Sequence, residues 1–176
     1  MGRCTEMSAV LFALALTAWG PANLNAAQPQ SGGRLLTRAE RSFSAYAFGT
    51  KEAPAGLKRI DREDCRRWGE CAYGDANHVE HYFWDHELVM KSINVAKLGR
   101  QPIAALGIGT ARSQDEVTQR VQRFLSNTKI ECRRFPPSDG GLPYACQSTL
   151  GEGWIVLRFD GSQQLAEAQV VAYHFT

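Results

Sequence analysis

Residues 154–159 have one uniformly apolar phase. Ile155, Leu157 and Phe159 share one phase of a two-residue repeat, and Trp154, Val156 and Arg158 share the other. Successive side chains of a strand point to opposite faces, so the run predicts a strand with one uniformly apolar face. Asp160-Gly161 is a strong turn signal, and Leu165 to Phe175 is expected as the returning strand. The Ile155 face then needs a cover. Val117, Val121, Phe124 and Leu125 mark one side of a helix from about Gln114 to Ser126. Ser113 and Glu116 read as its capping box.

The remaining chain reads in the same terms. Leu35, Leu36, Ala39, Phe43, Tyr46 and Ala47 approximate helical spacing from Leu35 to Phe48, with Thr37 and Glu40 as a possible capping box. A second short helix is expected over Leu57 to Trp68. His78 to Val95 reads as a β-hairpin turning near Asp85. Gly99 to Pro102 is a linker, and Ile130 to Phe135 and Tyr144 to Thr149 are further strands. Each half carries a glycine turn, a helical stretch, two cysteines and a hairpin, in that order. The expectation is an α+β chain of two tandem repeats, residues 35–98 and 99–176, each a helical hairpin on a small antiparallel sheet.

Arg3, the apolar stretch of thirteen residues from Met7 to Trp19, and the small residues before Ala27 have the layout of an export signal cleaved after Ala26. The apolar stretch is shorter than the ~20 residues that a membrane-spanning helix needs. Residues 27–34 are polar and Gly-rich, and read as a disordered start. The chain is therefore expected to be periplasmic or secreted, without stable membrane insertion. A net charge of +2 argues against a nucleic-acid partner. Cys65, Cys71, Cys132 and Cys146 follow the leader, and an even number in an exported chain suggests disulfides. Four cysteines allow three connectivities. Proximity favours Cys65 with Cys71 and Cys132 with Cys146. A zinc site is disfavoured by the spacing, which has no C-x-x-C pair.

Phe48-Gly49-Thr50, Ile108-Gly109-Thr110 and the run Trp154 to Gly161 with Leu165 carry a resemblance. The chain resembles the β-lactamase-inhibitor-protein-like fold, shared in part with small outer-membrane assembly lipoproteins of the SmpA/OmlA (BamE) type. The resemblance implies one disulfide in each repeat and a curved sheet whose open face docks another protein. It departs from the family pattern in lacking the methionine of a Gly-Met-Thr turn at both sites.

No catalytic residues are assigned, because no G-x-S-x-G elbow, redox C-x-x-C or dinucleotide fingerprint occurs. His78, His81 and His86 lie among Asp75, Glu80, Asp85 and Glu87, but strand alternation splits that set, so no metal or cofactor is expected. The run Lys58, Arg59, Arg62, Arg66 and Arg67 is interleaved with acids and reads as a solvated helix face. Tyr82, Trp84, Trp154 and Arg158, with His78, are expected on an open face. Trp, Tyr and Arg dominate binding hot spots. The functional expectation is a non-catalytic protein-binding module for another envelope or secreted protein: an inhibitor, immunity factor or assembly accessory. A structural or small-ligand-binding periplasmic protein and a hydrolase with a dispersed site are the alternatives.

Overall fold

The computed structural model describes residues 29–51, 53–60, 71–135 and 141–172. Helix α1 (Pro29–Phe43) leads to strands β1 (Lys58–Arg59), β2 (Cys71–Gly74), β3 (Val79–Trp84) and β4 (Glu87–Asn94). Helix α2 (Val95–Leu98), a 3-10 turn (Ala105–Gly107) and helix α3 (Gln114–Phe124) follow. Strands β5 (Glu131–Arg134), β6 (Tyr144–Thr149), β7 (Gly153–Phe159) and β8 (Leu165–Ala172) complete the chain.

The strands form one eight-stranded sheet in the order β1-β2-β3-β4-β8-β7-β6-β5, every pair antiparallel. This corrects the expected architecture of two small sheets, each under a helical hairpin. The cause is the β4–β8 pairing, which runs from Met90 opposite Val171 to Asn94 opposite Glu167. Two meanders that would each leave an unpaired edge instead satisfy one another's backbone groups there. Among the described residues no helical hairpin stands over the first strands either. Within the helix expected over Leu57 to Trp68, Lys58 and Arg59 are instead strand β1 and Leu57 and Ile60 are not helical, while residues 61–68 lie outside the described residues.

Both outer strands are charged and exposed: Lys58-Arg59 on β1, and Glu131, Arg133 and Arg134 on β5. Charged edges discourage pairing with another sheet. Each of the two central hairpins carries a β-bulge, at Val89 opposite Tyr82/Phe83 and at Ala166 opposite Arg158/Phe159. The extra residue changes the phase of the returning strand. Leu88 therefore buries beside Phe83 and Leu165 beside Phe159, although Ile93 and Ala168 are buried in the other phase.

The main core lies on one face of the sheet. Val79, Ile93, Ala168, Val170, Ile155, Leu157 and Phe159 meet Ala39 and Phe43 of α1, Val117 and Val121 of α3, and the 3-10 turn. Helix α1 begins at Pro29, earlier than expected, and stops at Phe43 rather than Phe48. Its start passes close to the β6–β7 turn, where a Cβ on Gly32 would fall 2.8 Å from the Gly151 backbone. Helix α3 follows the expected bounds closely, but its capping box does not form. Ser113 occupies the N-cap position without a side-chain hydrogen bond, and Glu116 pairs with Arg120 at 2.7 Å. Thr37 likewise donates to Gly33 O inside α1.

Candidate functional site

The opposite sheet face carries the residues that sequence reasoning singled out. The register places Ala72, Tyr82, Met90, Val171, Trp154 and Thr149 in one row across six strands. The next row holds Glu80, Ser92, Gln169, Val156 and Gln147, and the third holds Asn94, Glu167, Arg158 and Ala145. Tyr82 and Trp154 are half-buried, Arg158 is exposed, and Trp84 at the hairpin tip is 49 % exposed.

A hydrogen-bonded set organises this face. Ser92 Oγ donates to Glu167 Oε1 at 2.9 Å, Gln169 Nε2 donates to the same oxygen at 2.8 Å, and Arg158 Nε lies 3.6 Å from Glu167 Oε2. Tyr82 donates to Glu80 at 2.5 Å, and Lys97 pairs with the same carboxylate. Burial pushes the Glu80 carboxyl up, but the Lys97 and Tyr82 hydrogen bonds outweigh it and hold the group below the usual range. Burial and the Glu80 contact raise the Tyr82 phenol. The polar row is therefore fixed by its own partners, and the Tyr82–Met90–Val171–Trp154 row beside it is the apolar part of the face.

His78 is separate from that row. It sits in the β2–β3 turn with a φ of 60° and is exposed. With Lys58, Ile60, Gly74, Asp75, Glu80 and Lys97 it lines a cavity of about 250 Å3. His86 is in the β3–β4 turn and His81 is buried under the other face, so the three histidines do not converge. Among the described residues no three His, Cys, Asp or Glu side chains could hold a metal ion together.

Cys132 and Cys146 are directly paired across β5 and β6 and form a disulfide. Cys71 is also disulfide-bonded, and Cys65 lies outside the described residues. No helix among the described residues is long and apolar enough to cross a membrane. The leader and its cleavage site also lie outside the described residues.

A second constellation was not anticipated. On the covered face Lys91 and His81 are 0 % exposed, in the same phase as Val79 and Ile93. The Lys91 ammonium donates to the carbonyls of Glu40 and Ser44, each at 3.1 Å, and to that of Tyr46. Its three protons thus meet three carbonyls at the C-terminal end of α1, where a cation also complements the helix dipole. The Glu40 carboxylate lies 3.9 Å away and accepts from the Phe48 amide. Burial pulls Lys91 down to about 8, against the pull of Glu40 and Asp75.

His81 Nε2 lies 2.8 Å from Ser44 Oγ and 4.0 Å from Asp75 Oδ2. Burial lowers its pKa, and Asp75 opposes the shift. Ser, His and Asp thus meet in space although 31 residues separate Ser44 from Asp75 in the chain. The arrangement is not a nucleophilic relay, which needs serine and carboxylate on different ring nitrogens. Here both face Nε2, and Nδ1 completes no hydrogen bond among the described residues. The signal for this cluster was present in part: His81 and Lys91 are polar residues in the apolar phase of β3 and β4.

No family model, curated protein or solved structure matches the chain.

Proposed function

We propose that this chain is a non-catalytic protein-binding module that acts in the periplasm or outside the cell, on another envelope or secreted protein. The observation that carries the reading is the continuous Tyr82–Met90–Val171–Trp154 row on a sheet face opposite the main core, with the exposed Trp84 beyond Tyr82 on β3 and Arg158 two rows away on the same face. Tyrosine and tryptophan bind well because they bury a large area at small cost in side-chain freedom, and arginine adds a planar set of hydrogen-bond donors. The row spans β3, β4, β8 and β7, four strands about 4.8 Å apart, so it is roughly 14 Å long, the width of a hot spot rather than of a small-molecule pocket. The Cys132–Cys146 disulfide fits an oxidising compartment. The motif resemblance to β-lactamase-inhibitor-protein-like chains also favours a protein as the partner.

The test is capture from an envelope extract by the wild-type chain and by Trp154→Ala and Tyr82→Ala, followed by binding of the purified partner. The reading expects at least a tenfold weaker Kd for both variants, each still folded at the assay temperature by its unfolding curve. Equal binding by wild type and both variants, or no partner in the extract, refutes it.

A further inference from the structure

Residues 44–50 lie against β2, β3 and β4, and polar groups hold them there. Gly49 N donates to Leu88 O at 3.0 Å and Leu88 N donates to Thr50 O at 2.9 Å. Phe48 N donates to Glu40, and Lys91 holds the Ser44 and Tyr46 carbonyls. Ser44 Oγ meets His81, and the Tyr46 ring stands edge-on to the His81 ring at 5.2 Å. Beneath this segment lies a small apolar cluster separate from the main core: Cys71, Phe83 and Leu88, with Tyr46, Phe48 and Tyr73 against them. A cavity of about 200 Å3, lined by Lys51, Ala53, Tyr73, Phe83 and His86 among others, already opens beside this cluster.

We propose that residues 44–50 form an acid-released strap: protonation of His81 places a second cation beside Lys91 in a fully buried site, and the strap lifts to hydrate both and uncover Phe83 and Leu88.

The groups that face His81 decide the balance. From β4 comes the Lys91 ammonium, which repels an imidazolium. Asp75, from the β2–β3 turn, attracts it, but its Oδ1 is already engaged by the amides of Asn77 and Val79. Glu40 of α1 is committed to Lys91 and to the Phe48 amide. Tyr46 of the strap presents a ring edge, and the backbone of Tyr73 on β2 and of Val79 on β3 favours the charged imidazole without outweighing burial. Among the described residues the nearest countercharge left to His81 is therefore one oxygen of the Asp75 carboxylate, at 4.0 Å. Burial dominates, and the folded site favours neutral imidazole. A short connecting segment can open as a local unit ahead of global unfolding.

Amide exchange of the full chain tests this at pH 7.5 and pH 5.0, corrected for intrinsic exchange. Protection at Phe48, Gly49 and Leu88 should fall at pH 5.0, by up to about thirtyfold, the limit set by an open-state imidazole with a pKa near 6.5. These amides should also exchange with a weaker denaturant dependence than those of Ile155 and Leu157. In His81→Gln, which cannot take up the proton, the pH response at the strap should vanish. The proposal is overturned if strap protection does not change with pH, if the change persists in His81→Gln, or if the strap exchanges only together with β7. Should His81→Gln fail to fold, the wild-type His81 ring titration by NMR carries the test. Its midpoint must coincide with that of the strap's loss of protection, and separate midpoints overturn the proposal.

Discussion

The Lys91 ammonium lies 3.9 Å from the Glu40 carboxylate, with both residues buried between α1 and the sheet. Such a pair contributes less through its own attraction than through what its loss leaves behind. Lys91→Met would leave three carbonyls and a carboxylate without their cation, at a cost of about 3–5 kcal/mol. Adding Glu40→Gln removes the stranded charge, so the double variant should be no less stable than Lys91→Met and should recover on the order of 1 kcal/mol. Urea unfolding of the three proteins checks this. A double variant less stable by the sum of the single effects would show that the two residues act independently.

The same lysine gives the fold an alkaline signature. Burial brings the folded-state Lys91 down to about 8, whereas a free lysine titrates near 10.4. Between those values the unfolded chain holds a proton that the folded chain has released, so stability rises with pH. The expected gain from pH 7 to pH 10 is on the order of 2 kcal/mol. Above pH 10 the gain should reverse, because the Tyr82 phenol is raised in the fold and resists an ionisation that the unfolded chain undergoes. Urea midpoints at pH 7, 8, 9 and 10 should climb for the wild type and stay flat for Lys91→Met. A wild-type curve that falls across this range contradicts the assignment.

The hairpins were legible because their signals are local. Ile155, Leu157 and Phe159 fix the core face of β7, Asp160-Gly161 fixes the turn, and Tyr82 and Trp154 fall on the opposite face from the alternation alone. The joining of the halves was not legible. The β4–β8 register depends on backbone groups of Met90–Asn94 and Glu167–Val171, which leave no trace in side-chain periodicity. The bulges at Val89 and Ala166 added to the difficulty, since they make Leu88 and Leu165 core residues out of phase with their own strands. The buried cluster was half legible. His81 and Lys91 stand in the apolar phase of β3 and β4, but Glu40, Ser44 and Asp75 come to them from distant segments. Polar residues in a core phase read as a weak strand face until their partners are known.

The disulfide between Cys132 and Cys146 closes a loop of 14 residues at the β5 edge. Restricting the unfolded chain over such a loop stabilises by about 3 kcal/mol in the chain-entropy account. Cys146 is fully buried, so alanine is the appropriate replacement. Cys132→Ala/Cys146→Ala should lose roughly 2–3 kcal/mol in urea unfolding, with β5 the first strand to lose amide protection. Reduction of the wild type is a poorer probe, because Cys71 is bonded as well. A double variant within 0.5 kcal/mol of the wild type, roughly the range of ordinary surface substitutions, would contradict a stabilising role.

The β3–β4 turn places two residues with side chains, Asp85 at φ 48° and His86 at φ 63°, in the left-handed region. A two-residue hairpin turn needs this backbone because its twist matches that of the strands, and glycine is the residue that adopts it without steric cost. His86 also carries a Cβ where the Asp-Gly signature of such turns has none. His86→Gly should therefore stabilise the chain by about 0.5–1 kcal/mol, read as a higher urea midpoint with an unchanged slope. The hairpin tip holds Trp84 in the exposed position proposed for partner contact. If strain in this turn serves recognition, His86→Gly should raise the midpoint and weaken partner binding together. A variant that binds as the wild type does would assign the strain to the turn alone. A lower midpoint would show that the His86 side chain stabilises the turn by more than its backbone costs.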